Sequence, residues 1–153
     1  MEKAEKILAE HPFLEGLDPE LLKIIASCAT EMHFEPGQMI YKEGDEANQF
    51  LLVRDGKVAI EVFSARRGSL IIHTAGAGHV VGWSWLFPPY KRRFDTRAVE
   101  ATTAVALDGK FLREKAEEDH RLGYELLKRF SKIVVERLQE TRLQLVDIYG
   151  KHS

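Results

Sequence analysis

Cysteine is nearly absent: Cys28 stands alone in 153 residues. No internal disulfide can form, and a lone thiol in an apolar helical segment reads as a small buried hydrophobe of a reducing compartment. Long apolar runs are missing too. None approaches the roughly 20 residues a membrane-spanning helix needs, and the opening Met1-Glu2-Lys3-Ala4-Glu5-Lys6 is charged where a secretory leader would be apolar. Nor does one sign of charge dominate. The formal net charge is −2 with acids and bases interleaved, so composition gives no ground for nucleic acid or an anionic membrane as partner. Six histidines, at 11, 33, 73, 79, 120 and 152, include no H-x-H or H-x-x-x-H pair of the kind that seats a metal in a β-roll. Serine–histidine–acid, cysteine–histidine and paired-acid constellations are equally wanting. These absences predict a soluble cytoplasmic chain with no metal, no membrane partner and no catalytic activity.

What is present begins with helical signals. Residues 2–10 suit a short amphipathic helix, and Asp18-Pro19-Glu20 supplies an N-cap, a proline at the first helical position and an acidic first turn. Leu21, Leu22, Ile24, Ile25, Cys28 and Ala29 give that second helix its buried face. From Glu31 the apolar period becomes two. Short alternating runs follow, separated by Pro36-Gly37, Gly44-Asp45, Asp55-Gly56, Ser64–Gly68 and Ala75–Gly78. Asp55-Gly56 between two apolar runs is the strongest local hairpin signal in the chain, and the basic turn 64–68 returns through Leu70-Ile71-Ile72. After Asp108 the pattern is helical again, over about 110–118 and then 120–149. This order predicts one domain over 1–153, mainly β with flanking helices. Helices occupy 2–29, an antiparallel jelly-roll-like β-roll about 31–108, and C-terminal helices about 110–149.

The stretch Gly78–Ala101 carries the chemistry. His79–Val81 reads as a short strand, Gly82 as a turn, and Trp83-Ser84-Trp85-Leu86-Phe87 as one or two helical turns stopped by Pro88-Pro89. Lys91-Arg92-Arg93 reads as a solvated loop leading into a strand over Phe94–Val99. Free amides at the start of the short helix, with an arginine on the returning strand, suggest an anion cradle. Arg97 either reaches such an anion or pairs internally near Asp95 or Glu100. Trp83 either stacks on a ring or fills the space, Trp85 reads as core, and Ser84 either bonds a ligand or caps the helix.

These residues, in this order, resemble the phosphate-binding cassette of the cyclic-nucleotide-binding domain in the catabolite-activator/FNR family. The pattern there runs G-E-x-x-L-[LF], a loop, then R-[AST]-A-x-V-x-A. Gly82, Leu86, Phe87, Val99 and Ala101 fall on matching positions, and the turns at Pro36-Gly37, Glu43-Gly44-Asp45, Asp55-Gly56-Lys57 and Gly78 extend the resemblance from about Phe13 to Asp147. Two positions depart from it. The glutamate that takes the ribose hydroxyl is replaced by Trp83, and the arginine that pairs with the cyclic phosphate aligns with Asp95. The resemblance therefore implies a ligand site at Gly82, Trp83, Ser84, Trp85, Arg93, Asp95 and Arg97 whose two usual polar contacts are exchanged, with cyclic nucleotide as the ligand under question.

Leu127, Phe130, Val134, Leu138, Thr141, Leu145 and Ile148 recur at steps of three or four, a seam that predicts a homodimer through the last helix. The resemblance places the family's dimerising helix here, and implies that Thr141 is where some members lend a hydroxyl to the purine of the partner chain. It also leads one to look for a helix-turn-helix domain after this point. The sequence ends at Ser153, so no direct DNA binding is expected. The functional expectation is a stand-alone regulatory module sensing a small anionic ligand and signalling through a partner protein. The alternative is a ligand-independent dimerisation scaffold with a vestigial pocket.

Overall fold

The computed structural model describes residues 2–150. The chain divides into two compact units, Met1–Lys115 and Ala116–Ser153. In the first, α1 (Glu2–Glu10) is followed by a 3-10 turn at Pro12–Leu14 and by α2 (Pro19–Ala26). Asp18 Oδ1 accepts the Glu20 amide at 2.9 Å, with Pro19 just inside the helix. The helix stops three residues short of Ala29, where β1 already begins.

Eight strands follow: β1 (Ala29–Phe34), β2 (Met39–Tyr41), β3 (Gln49–Asp55), β4 (Lys57–Ser64), β5 (Gly68–Gly76), β6 (Val80–Val81), β7 (Asp95–Ala98) and β8 (Thr102–Asp108). They form two antiparallel four-stranded sheets, ordered β1-β8-β3-β6 and β2-β7-β4-β5. The expected roll with flanking helices is present. Leu51, Val53, Val58, Ala75, Ala98 and Ala106 form part of the core cluster of the roll. Alternation turns Phe50 the other way, where its ring meets Phe13 edge-on at 6.3 Å.

One local signal pointed to the wrong partner. Asp55-Gly56 does not close a hairpin, because β3 pairs with β6 and β8 while β4 pairs with β5 and β7. Gly56 carries the chain from one sheet to the other at φ +101°, and a Cβ there would lie 2.5 Å from the Ala101 carbonyl oxygen. An Asp-Gly pair reports the positive φ, whereas the sheet each strand joins depends on distant residues. The hairpin is β4–β5, closed by Ser64 opposite Gly68, at the basic turn expected there.

After β8 comes α3 (Gly109–Glu118), capped by Asp108, whose Oδ1 accepts the Phe111 amide at 3.0 Å. The second unit is mainly α4 (His120–Gly150). Leu122, Leu126 and Phe130 are buried, whereas Leu127, Val134, Leu138, Leu145 and Ile148 are exposed. Phe130 therefore leaves the expected seam for the buried side. No described helix is long and apolar enough to cross a membrane.

Candidate functional site

The cassette is built as its spacing predicts. β6 ends at Val81, Gly82 turns at φ +91°, and a single 3-10 turn runs over Trp83–Leu86. Pro88-Pro89 (a cis bond) and Tyr90 lead to Lys91, which bridges to Glu46. The next residue was read as solvated, and here the structure corrects the reading. Arg92 is 4% exposed. Its backbone is bonded both ways to the Gly44-Asp45 corner: the Arg92 amide donates to the Asp45 carbonyl, and the Gly44 amide to the Arg92 carbonyl, each at 2.8 Å. That pairing imposes strand-like alternation on 91–93, so Lys91 and Arg93 point to solvent and Arg92 points in.

Inside, the Arg92 guanidinium lies 3.7 Å from the centroid of the Tyr41 ring. Nη1 donates to the Gly82 carbonyl at 2.9 Å and Nη2 to the Gln49 carbonyl. Its Nε has no acceptor, and among the described residues no carboxylate stands within ion-pair distance. Burial lowers the arginine's pKa, with Tyr41 and the more distant Asp45 opposing. Burial likewise pushes the Tyr41 hydroxyl up to about 12, against the pull of the Arg92 charge and of Gln49. Gly82 suits its place by its φ of +91°, which strains any L side chain, and a Cβ there would also stand 2.6 Å from Arg92 Nη1 and 3.3 Å from the Tyr41 ring.

A second arginine holds the cassette from behind. Arg113 of α3 lies 4.0 Å over the Tyr90 ring and donates to the Trp85 carbonyl. Trp85 itself is fully buried and stacks on Phe50 at 4.8 Å, so its expected place in the core is observed.

The other sequence-derived residues fall in different places. Val58 and Ala98 are register partners and both belong to the core, so alternation along β7 puts Asp95 and Arg97 on the opposite, outward face. Asp95 Oδ1 accepts the Glu43 amide at 2.8 Å. Arg97 Nη1 donates to the Gly37 carbonyl at 3.0 Å, and its Nε lies 3.5 Å from Glu61. Its internal partner is thus Glu61 rather than Asp95 or Glu100. Trp83 is half-buried, its ring edge-on to Phe87 at 6.4 Å. Ser84 is half-buried as well, and Gly82, not Ser84, holds the N-cap position. Arg93 is exposed. In α4, the Thr141 hydroxyl donates to the Arg137 carbonyl of its own helix at 2.9 Å. No group of three His, Cys, Asp or Glu among the described residues could hold a metal ion, and His152 lies outside them. Arg92, Tyr41 and the Gln49 carbonyl were missed from the sequence. The one legible trace of Arg92 is its place at the centre of a basic triplet two residues before a strand.

A family profile described as the cyclic nucleotide-binding domain matches residues 31–119. The chain is 21% identical over 144 residues to a CRP-like cAMP-activated global transcriptional regulator of Mycobacterium tuberculosis, covering 94% of this chain and 62% of that protein. It is 32% identical over 72 residues to a cAMP-dependent protein kinase regulatory subunit of Schizosaccharomyces pombe, covering 47% of this chain and 17% of that one. The chain thus spans less than two thirds of the length of either relative. Among solved structures, a cyclic nucleotide-binding domain from Methylobacillus flagellatus superposes with a TM-score of 0.81 at 20% identity, covering 95% of this chain and 84% of its own. That last likeness is one of fold.

Proposed function

From the premise that this chain belongs to the cyclic nucleotide-binding domain family, we propose that it is a non-catalytic regulatory module that senses a small anionic ligand at Arg92 and signals through a partner protein. One observation carries the reading: a guanidinium 4% exposed, inside the cassette, with no carboxylate of the described residues within ion-pair distance. A buried charge with no ion-pair partner costs several kcal/mol, and Asp45, beyond ion-pair distance, offsets only part of it. Two carbonyls and the Tyr41 ring offset part of that cost, the ring by about 0.5–2 kcal/mol, and an anion is the group that completes it. Trp83 in place of the family's glutamate, and Asp95 facing outward, support a cassette that no longer holds a cyclic nucleotide in the usual manner. In this reading residues 1–153 act as one module, paired with a second copy through α4. A cytoplasmic setting fits the Cys28 thiol, which burial pushes up to about 11 and so keeps protonated.

A second reading draws on the same arginine. Its bonds to the Gly82 and Gln49 carbonyls make a lock that needs no ligand, which supports a dimerisation scaffold. Thermal-shift titration separates the two, using cAMP, cGMP, cyclic di-GMP, ATP and inorganic phosphate on the wild type and on Arg92→Met. Sensing predicts that at least one anion at about 100 times its Kd raises stability by about 2.7 kcal/mol, a gain lost in Arg92→Met. No shift with any of them selects the scaffold. A shift that survives in Arg92→Met removes Arg92 from the site.

A further inference from the structure

The two sheets end in four edge strands, and three are protected. β2 has three residues and β6 two, too short to recruit another strand, while β1 carries Glu31 and His33 among its six. The fourth, β5, has nine residues, GSLIIHTAG, with no proline, lysine, arginine or carboxylate. It pairs only with β4, so alternate amides and carbonyls along its free side point away from the sheet. Its side chains are unusually bare: Ile71 is 62% exposed and Ile72 42%. Beside it on β4, Phe63 is 65% exposed. Phe63 and Ile71 share one face, because Glu61, two residues from Phe63, is the register partner of Ile71. The register shift opposite Ile60 and Glu61 bends the strand at one point and leaves 68–71 regular beyond it. At the hairpin tip, Arg66 and Arg67 are exposed, and neither makes an ion pair among the described residues.

We propose that β5 is a docking edge for an extended segment of a partner protein, added as a fifth strand, with alternate apolar side chains on Phe63 and Ile71 and acidic residues against Arg66 and Arg67. Strand addition draws affinity from main-chain hydrogen bonds and specificity from alternate side chains. Charge decides the kind of partner. Pairing with a second copy in parallel would gather four arginines at one end. Antiparallel pairing would set each tip beside residues 74–79 of the other copy, which include no carboxylate. An acidic partner supplies what a second copy lacks. The inference is independent of the cassette reading, because the side-chain bonds and ring contact of Arg92 run to Gly82, Gln49 and Tyr41, all outside β5 and its tip.

The test uses the full chain and labelled octapeptides that alternate valine and threonine beside an acidic pair at either end, DEVTVTVT and its reverse TVTVTVED, with KKVTVTVT and TVTVTVKK as opposites. Binding is read by fluorescence anisotropy and amide protection by hydrogen exchange. At least one acidic peptide should bind ten times more tightly than its basic counterpart and slow exchange at 69–73 tenfold or more. Ile71→Lys and the double variant Arg66→Glu/Arg67→Glu should each weaken it at least tenfold. Unchanged circular dichroism and melting temperature in the variants keep folding out of the comparison. Equal binding of acidic and basic peptides overturns the proposal, as does no binding by any. β5 protection that rises with protein concentration alone assigns the edge to a second copy. Co-sedimentation with phosphatidylserine vesicles without peptide binding assigns it to a lipid surface. Either result overturns it too.

Discussion

His11 is held neutral by its two ring nitrogens. Nε2 bonds the Val53 carbonyl at 3.0 Å and Nδ1 accepts the Phe13 amide at 3.2 Å, so only the Nε2–H tautomer fits both. Burial lowers its pKa, and the charges of His79 and Arg54 lower it further against the Val53 carbonyl. Above the unfolded value of about 6.5, both folded and unfolded states are neutral and pH has no effect through this ring. Below it the unfolded chain takes up a proton first, and stability falls until the folded ring titrates as well. Urea midpoints should therefore decline as pH drops from 7 towards 5, and His11→Gln should flatten that part of the profile. Gly109 makes a second residue-scale case. A Cβ there would stand 2.8 Å from Trp85 Cβ, and Trp85 cannot retreat because it is stacked on Phe50. Gly109→Ala should cost about 1–3 kcal/mol of overpacking, measured by denaturant unfolding. Neither constraint could be read from the sequence, where no local pattern shows what the His11 ring bonds or what a side chain at 109 would meet.

At the scale of the element, α4 carries a bare seam. Leu127, Val134, Leu138, Leu145 and Ile148 recur at the spacing of a two-stranded coil and are 38–54% exposed. Light scattering should give twice the chain mass for the wild type and a single chain mass for Leu138→Glu/Leu145→Glu. A wild-type monomer at all concentrations would remove the dimer. The helix itself was legible in the sequence, since 120–149 holds no proline. Its inner limit was not: Phe130 fits the seam by spacing and is buried nonetheless. The strands show the same division. Their positions followed from the period of two and the glycine turns, but Asp55-Gly56 was taken for a hairpin, because a turn motif records backbone angles and says nothing of which strand lies alongside.

At the scale of the whole molecule, the first of its two units is tied together by pairs far apart in the chain: Ala29 lies opposite Leu107, and Phe50 opposite Leu107 on its other side. Closing such loops precedes any stabilising contact, so stopped-flow refolding should fall in the range of milliseconds to seconds. The same long-range closure fixes the candidate site. The sequence by itself determined the β-roll, its flanking helices, the Gly82 turn and the short helical turn after it, because each follows from local periodicity and from residues with restricted backbone angles. Only the tertiary structure decided which side chains face the interior. Asp95 and Arg97 were turned outward and Arg92 inward, because the face a strand residue takes is set by pairing with a partner strand tens of residues away, and a shift of one residue exchanges inside for outside.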